Sequence, residues 1–344
     1  MMKSLSDKSL SDKSLSDKSL SDKSQIDKSL SIGRLATLAC VLEVTAAKPG
    51  NVHRGADFED VTFSDFLVSA VVIGEVFDRS DLSIGQSILQ AVENTQAFVG
   101  TNTNLGMVLL LGPLVDAARK AKTSGSSQIE NPLTSELVAE SLRSMPSSDG
   151  RLILKAIALA KAGGLGDAAM HDVNDPHDEV DLMAAMELAT DRDSIARQYT
   201  SAMADVFGLG QRLLLQGRSL FDDLNSAIVY AHVAWMAEQH DSLIQRKLGL
   251  AVAQQAQRMA QHAIGEVWES EAFIGIEKGQ RLRLDEATEE LFWRRVADLD
   301  FWLRSDGHQR NPGTTADLIA ASLFVSFYNG TLTIPFNGSS SMVG

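Results

Sequence analysis

Apolar residues recur at helical spacing along almost the whole of this chain, and nowhere do they alternate long enough to build a sheet. From Gly33 onward one amphipathic segment follows another: Leu35, Leu38, Ala39 and Leu42 stand at i, i+3, i+4 and i+7 and so share a face. Breakers punctuate the pattern. Lys48-Pro49-Gly50 must stop the first helix, and the prolines at 49, 132, 146, 176, 312 and 335 all fall between periodic segments. Only Pro113 lies inside one, where Gly112-Pro113 is expected to kink a helix that begins near Asn104. Thr62 and Asp65 form a capping box for a helix through Phe77. Further helices are expected at about 83–98, 134–144, 150–162, 179–190, 194–217, 222–240, 243–264, 286–304 and 314–328. The expected fold is therefore all-α, a single compact multi-helix domain over residues 32–330, followed by a tail at 331–344 in which Thr331 to Pro335 is at most a short strand.

The first thirty-one residues are different. Lys-Ser-Leu-Ser-Asp repeats there with period five from Lys3 and degrades at Gln25-Ile26. Five matches neither the 3.6 of a helix nor the 2 of a strand, and one Leu per repeat builds no core, so the segment is expected to be a disordered tail.

Charge and cysteine narrow the function. The chain carries a net charge of −14. Such a field disfavours nucleic acid and anionic membrane as partners. A protein this acidic that binds a nucleotide must concentrate its cations locally or recruit a divalent ion. Cys40 is the single cysteine, which excludes an internal disulfide and reads as a small buried hydrophobe. The apolar runs near Phe66 to Gly74 and Leu105 to Val115 are too short to span a membrane, and no signal-peptide apolar region opens the chain, so the expected location is cytoplasmic.

Five stretches carry side chains that packing does not require. Lys48, Asn51, His53 and Arg54 crowd a loop that continues into Asp57, Glu59 and Asp60, a set suited to a polyphosphate with a divalent ion beside it. Thr101, Asn102, Thr103 and Asn104 precede an apolar helix that needs only one of them as its cap. Gly163-Gly164-Leu165-Gly166-Asp167 leads to His171-Asp172 and further acids, in a segment read equally as a solvated loop or as metal or acid–base machinery. Arg246 and Lys247 are read as opening a helix, the electrostatically wrong end for cations unless an anion binds there. Last, Pro312-Gly313-Thr314-Thr315-Ala316-Asp317 places a turn and two hydroxyls at a helix start. No Walker, dinucleotide, kinase or zinc spacing is present, so a nucleotide site has to be assembled from helix ends.

Taken together these stretches resemble the triphosphoribosyl-dephospho-CoA synthase family, the CitG-like proteins. Glu43 through Lys48-Pro49-Gly50, Asn102-Thr103, Gly164-Leu165-Gly166, Arg246-Lys247 and Pro312-Gly313 through Leu318 are similar, in that order, to its motif series, over about Leu35 to Phe327. The resemblance implies an all-helical pentosyltransferase in which dephospho-CoA attacks the ribose of ATP at C1′, releasing adenine and keeping the triphosphate, with Mg2+ as the divalent ion. It implies Lys48, Arg54, Arg246 and Lys247 on phosphates. Asn51, His53, Thr101, Asn102, Asn104, Gly313, Thr314, Thr315 and Asp317 would line the substrate, and Asp57, Asp167, His171 and Asp172 would act on metal or as base, the metal falling to Asp57 and Asp172.

Where the best-known members carry Asn-Thr-His-Lys-Gly, this chain has Asn102-Thr103-Asn104-Leu105-Gly106. In this it resembles the archaeal-type branch, whose relatives accompany tetrahydromethanopterin biosynthesis, and that leaves a different acceptor open. Two other readings stand beside it. His171-Asp172 resembles the dyad of all-helical metal phosphohydrolases, and a helical scaffold would need none of this chemistry.

Overall fold

The computed structural model describes residues 30–123, 132–160, 181–277 and 283–333. The pentapeptide repeat lies outside them. So do Asp167, His171 and Asp172.

Among the described residues the chain forms fifteen α-helices and one π-helical turn, with no strand. The first half comprises α1 (Ile32–Thr45), α2 (Phe63–Phe77), α3 (Ile84–Val99), α4 (Leu105–Thr123), α5 (Ser135–Arg143), α6 (Ser147–Leu159), α7 (Leu182–Ala189) and α8 (Ser194–Thr200). After the π turn Val206–Gly210 come α9 (Gln211–Leu220), α10 (Leu224–Glu238), α11 (Ser242–Leu248), α12 (Leu250–Glu269), α13 (Glu271–Glu277), α14 (Glu286–Arg304) and α15 (Gly313–Tyr328).

Two helices make the centre. In α15 every residue from Leu318 to Tyr328 is buried, and in α10 so is every residue from Ala227 to Ala237. Helices apolar all round have no solvent face to offer. α15 packs against α1, α4, the π turn, α10, α9 and α11, while α12 covers α10 and is itself covered by α14. On the other side α1 pairs with α2, α2 with α3, and α3 with α6. The first turn of α15 lies against Gly106 of α4, through Asp317, and against Leu243 of α11, through Gly313.

Local chemistry explains most boundaries. Thr62 and Asp65 form the expected capping box, Thr62 accepting from the Asp65 N–H while the Asp65 carboxylate accepts from the Thr62 N–H at 2.8 Å. Helix α4 runs unbroken through Pro113.

Two expectations are corrected, and one left open is narrowed. The helix expected over 243–264 is two helices, because Gly249 sits between them at φ +87°, a left-handed conformation that ends one and starts the next. The helix expected over 194–217 is interrupted where Ala202 and Met203 take φ +51° and +64°, followed by the π turn. Thr331 to Thr333, the described part of the suspected strand, is not a strand.

Candidate active site

Lys48 folds back onto the helix it follows. Its Nζ lies 2.9 Å from Oε1 of Glu43 and donates to the carbonyls of Glu43 and, at 3.3 Å, Ala46, groups that the end of α1 leaves without helical partners. Both side chains are almost sealed, at 1% and 2% exposure. Burial lowers the Lys48 ammonium from its usual range and raises the Glu43 carboxyl, and each partner opposes the shift of the other. Lys48, expected on a phosphate, thus closes α1 in this structure. Cys40 is buried as expected, its thiol pushed up by burial and by the nearby Glu43 and Asp317. His232 of α10 is also fully buried, and neither ring nitrogen has a partner among the described residues. Burial, helped by Lys48, holds its basicity well below the usual range.

The loop after Lys48 is moored to α14. Gly50 has φ +74°, and a Cβ there would stand 2.8 Å from Leu303, so both conformation and space demand glycine. Its N–H donates to Oδ1 of Asp300 at 2.7 Å, and Arg304 bridges that same carboxylate and the Asn51 carbonyl. The Asn51 side chain donates to Oδ1 of Asn311 at 2.5 Å, joining the loop to the residue before Pro312. His53 and Ala56 close a tight turn that presents Arg54 to solvent. Burial and the neighbouring Arg304 and Lys48 lower the His53 pKa. Asp57, expected on metal, uses Oδ1 to accept the Phe63 N–H at 2.6 Å at the start of α2. Arg304 lies over the Phe58 ring at 5.2 Å, and Asp60 reaches His308 at 3.0 Å.

At the start of α15 the capping residue Pro312 offers no side-chain bond. Asp241 instead reaches across from the start of α11. Its Oδ1 accepts from the N–H groups of Leu243 and Ile244, while Oδ2 accepts from the N–H of Thr315 at 2.7 Å and its Oγ1 at 2.8 Å. One carboxylate therefore caps two helices. The N–H groups of Gly313 and Thr314 have no such partner among the described residues. Asp317, one turn on, packs against α4 so closely that a Cβ on Gly106 would lie 1.9 Å from its Oδ2. Burial raises its pKa well above the carboxylate range, with Glu43 and Asp241 adding to the effect.

Arg246 and Lys247 occupy the last turn of α11, not the start of a helix, which is the favourable end for cations. The electrostatic conflict that suggested an anion there does not exist. Arg246 pairs with Asp193 at 2.7 Å but leaves its Nε buried and unpartnered, and Lys247 touches the His308 carbonyl at 3.3 Å.

In the turn before α4 the Asn102 side chain accepts the Leu105 N–H at 3.0 Å, and Thr103 bonds Ser69 at 2.5 Å. Thr101 is partly exposed. Asn104 is buried, with both amide atoms unpartnered.

Stretches separated by up to 270 residues of sequence thus gather around one helix start: Lys48 and Asn51 beside α1, Asn104 before α4, Arg246 in α11, and Gly313, Thr314, Thr315 and Asp317 in α15. Arg54, Asp57, Thr101 and Asn102 are set in the two flanking loops. Sequence reasoning passed over Asp193, Asp241 and His232. The first two read as ordinary caps, and His232 sits unmarked in an apolar helix. Among the described residues no three His, Cys, Asp or Glu side chains are grouped to hold a metal. No helix there is long and apolar enough to cross a membrane.

The model of one family, ATP:dephospho-CoA triphosphoribosyl transferase, matches residues 29–334. The chain belongs to that family. A transferase of this kind is an enzyme, so the scaffold and phosphohydrolase readings are not favoured. Among solved structures, a crystal structure from Archaeoglobus fulgidus, of a protein whose assignment as a triphosphoribosyl-dephospho-CoA synthase is provisional, shares the fold with a TM-score of 0.52. It is 22% identical, and the match covers 77% of this chain and 99% of that one. No curated protein matches at a significant level.

Proposed function

We propose that this triphosphoribosyl transferase binds ATP across the start of α15 and passes its triphosphoribosyl group to a ribose hydroxyl of dephospho-CoA. The observation that carries the reading is the convergence, at one helix start where the Gly313 and Thr314 N–H groups stay open, of Asn104, Arg246, Thr314 and Asp317 from three different helices and their approaches.

In the reaction the hydroxyl oxygen bonds to C1′ as the C1′–N9 bond breaks, its electron pair leaving with adenine. The hydroxyl proton passes to a base. Asp317 suits that duty, because a carboxyl whose pKa is raised is a better proton acceptor once it is ionised. Arg54, Arg246 and Lys247, with the free N–H groups of Gly313 and Thr314, are the donors for the triphosphate. Lys48 acts here by holding Glu43 and the loop in place.

Mg2+ would be held here in the manner usual for nucleotide sites, by one or two carboxylates with the rest of its shell from phosphate and water. Asp57 has one oxygen not engaged with Phe63, and Asp172 is the second candidate. The ion would neutralise triphosphate charge. Incubation with ATP and Mg2+, with and without dephospho-CoA, followed by chromatography, tests the reading: adenine release that depends on the acceptor supports it, and ADP or phosphate in its place overturns it. The same assay with a pterin-pathway acceptor addresses the alternative substrate.

A further inference from the structure

We infer that Asn104 reads the amino edge of a 6-aminopurine, an inference that rests on the reaction proposed above. The side chain is 4% exposed, and Nδ2 and Oδ1 both lack a partner among the described residues. A buried amide left wholly unpaired is expensive, so it marks a place where a ligand supplies the missing bonds. Its surroundings are those of the reacting end of the site: the next helical residue but one, Gly106, lies against the Asp317 carboxylate.

The pattern of what is missing selects the ligand. Phosphate offers acceptors alone and would leave Oδ1 unpaired. A pantetheine amide has its N–H and C=O on opposite sides and cannot meet both ends of one side-chain amide. Adenine presents a donor N6 and an acceptor N7 side by side, the pairing that asparagine makes with it in a bidentate manner. Both ATP and dephospho-CoA carry that ring. Neighbouring Asn102 does not compete for the role, because its oxygen is committed to the Leu105 N–H. The amide is buried in the unliganded protein.

Calorimetry and steady-state kinetics on the full chain and on Asn104→Ala test this with ATP against purine riboside triphosphate, which lacks the 6-amino group, and with dephospho-CoA against its 6-deamino analogue. The wild-type protein is expected to prefer one 6-aminopurine ligand by roughly 10–100-fold, and Asn104→Ala to lose that preference. Loss on the ATP arm assigns the departing base; loss on the dephospho-CoA arm assigns the acceptor. A wild-type protein with no preference on either arm overturns the inference, as does a variant that keeps the full preference. If the binding preference follows Asn104 while no adenine is released, the proposed reaction fails and Asn104 stands as an adenine reader.

Discussion

Lys48 and Glu43 form an ion pair, 2.9 Å long, that the fold has taken almost wholly out of water. Desolvation works against both charges, and three acceptors around Nζ offset it. Removing one partner strands the other, so Glu43→Leu or Lys48→Met is expected to destabilise the protein by about 3–5 kcal/mol. The double variant Glu43→Leu with Lys48→Met leaves no stranded charge and is expected to recover most of that loss. Urea unfolding of the four proteins measures the coupling; additive losses would mean that the pair contributes packing alone.

The ion pair also marks the boundary of what the sequence discloses. The Lys48 loop stands out in the sequence because cations, glycine and acids crowd it, but nothing in the sequence shows that Lys48 turns back to pair with Glu43, five residues earlier inside a helix. Helix starts were legible for the same local reason throughout: Thr62 and Asp65 need only each other. Asp241 was not legible in its second role, since capping α15 depends on a contact 74 residues away. Nor was the break at Ala202 and Met203, whose side chains favour the helix that they interrupt. Gly249 was a signal of the right kind, outweighed by strong helix formers on both sides.

The Asp241 link gives the second prediction. Thr315→Val keeps the shape of the side chain and deletes the 2.8 Å bond from Oγ1 to a buried carboxylate, a loss of about 1.5–3 kcal/mol in stability. Because Thr315 lies one residue beyond the open N–H of Thr314, the variant is also expected to raise KM for ATP more than it lowers kcat. A change in kcat alone would separate α11 from substrate binding.

His232 predicts a pH effect. Its pKa is lower folded than unfolded, so the unfolded chain takes up the proton first, and stability falls as pH drops below the unfolded value of about 6.5. Replacing it with leucine removes the titration and two unpartnered nitrogens together. His232→Leu is therefore expected to be as stable as the parent or more so at pH 7, and to lose less stability between pH 7 and pH 5. Melting curves across that range check it, and parallel losses in both proteins would assign the acid sensitivity to another group.

Asp317 shows the opposite linkage. Its folded pKa is raised, so the native state holds a proton that the unfolded chain gives up, and the stability contributed by that proton is present below about pH 3.8 and fades as pH rises through the folded value. At neutral pH the unliganded protein therefore carries a strained carboxyl between Glu43 and Asp241, and Asp317→Asn relieves it. The variant is expected to melt higher than the parent at pH 8, with the advantage shrinking toward pH 4. Acceptor-dependent adenine release should nevertheless fall by roughly 10²–10⁴-fold, the usual contribution of a general base. A site kept for function at the expense of stability has this signature. If Asp317→Asn is instead less stable at every pH and retains turnover, the carboxyl is a packing group, and the base has to be sought among the acids of the Asp57 loop or at Asp172.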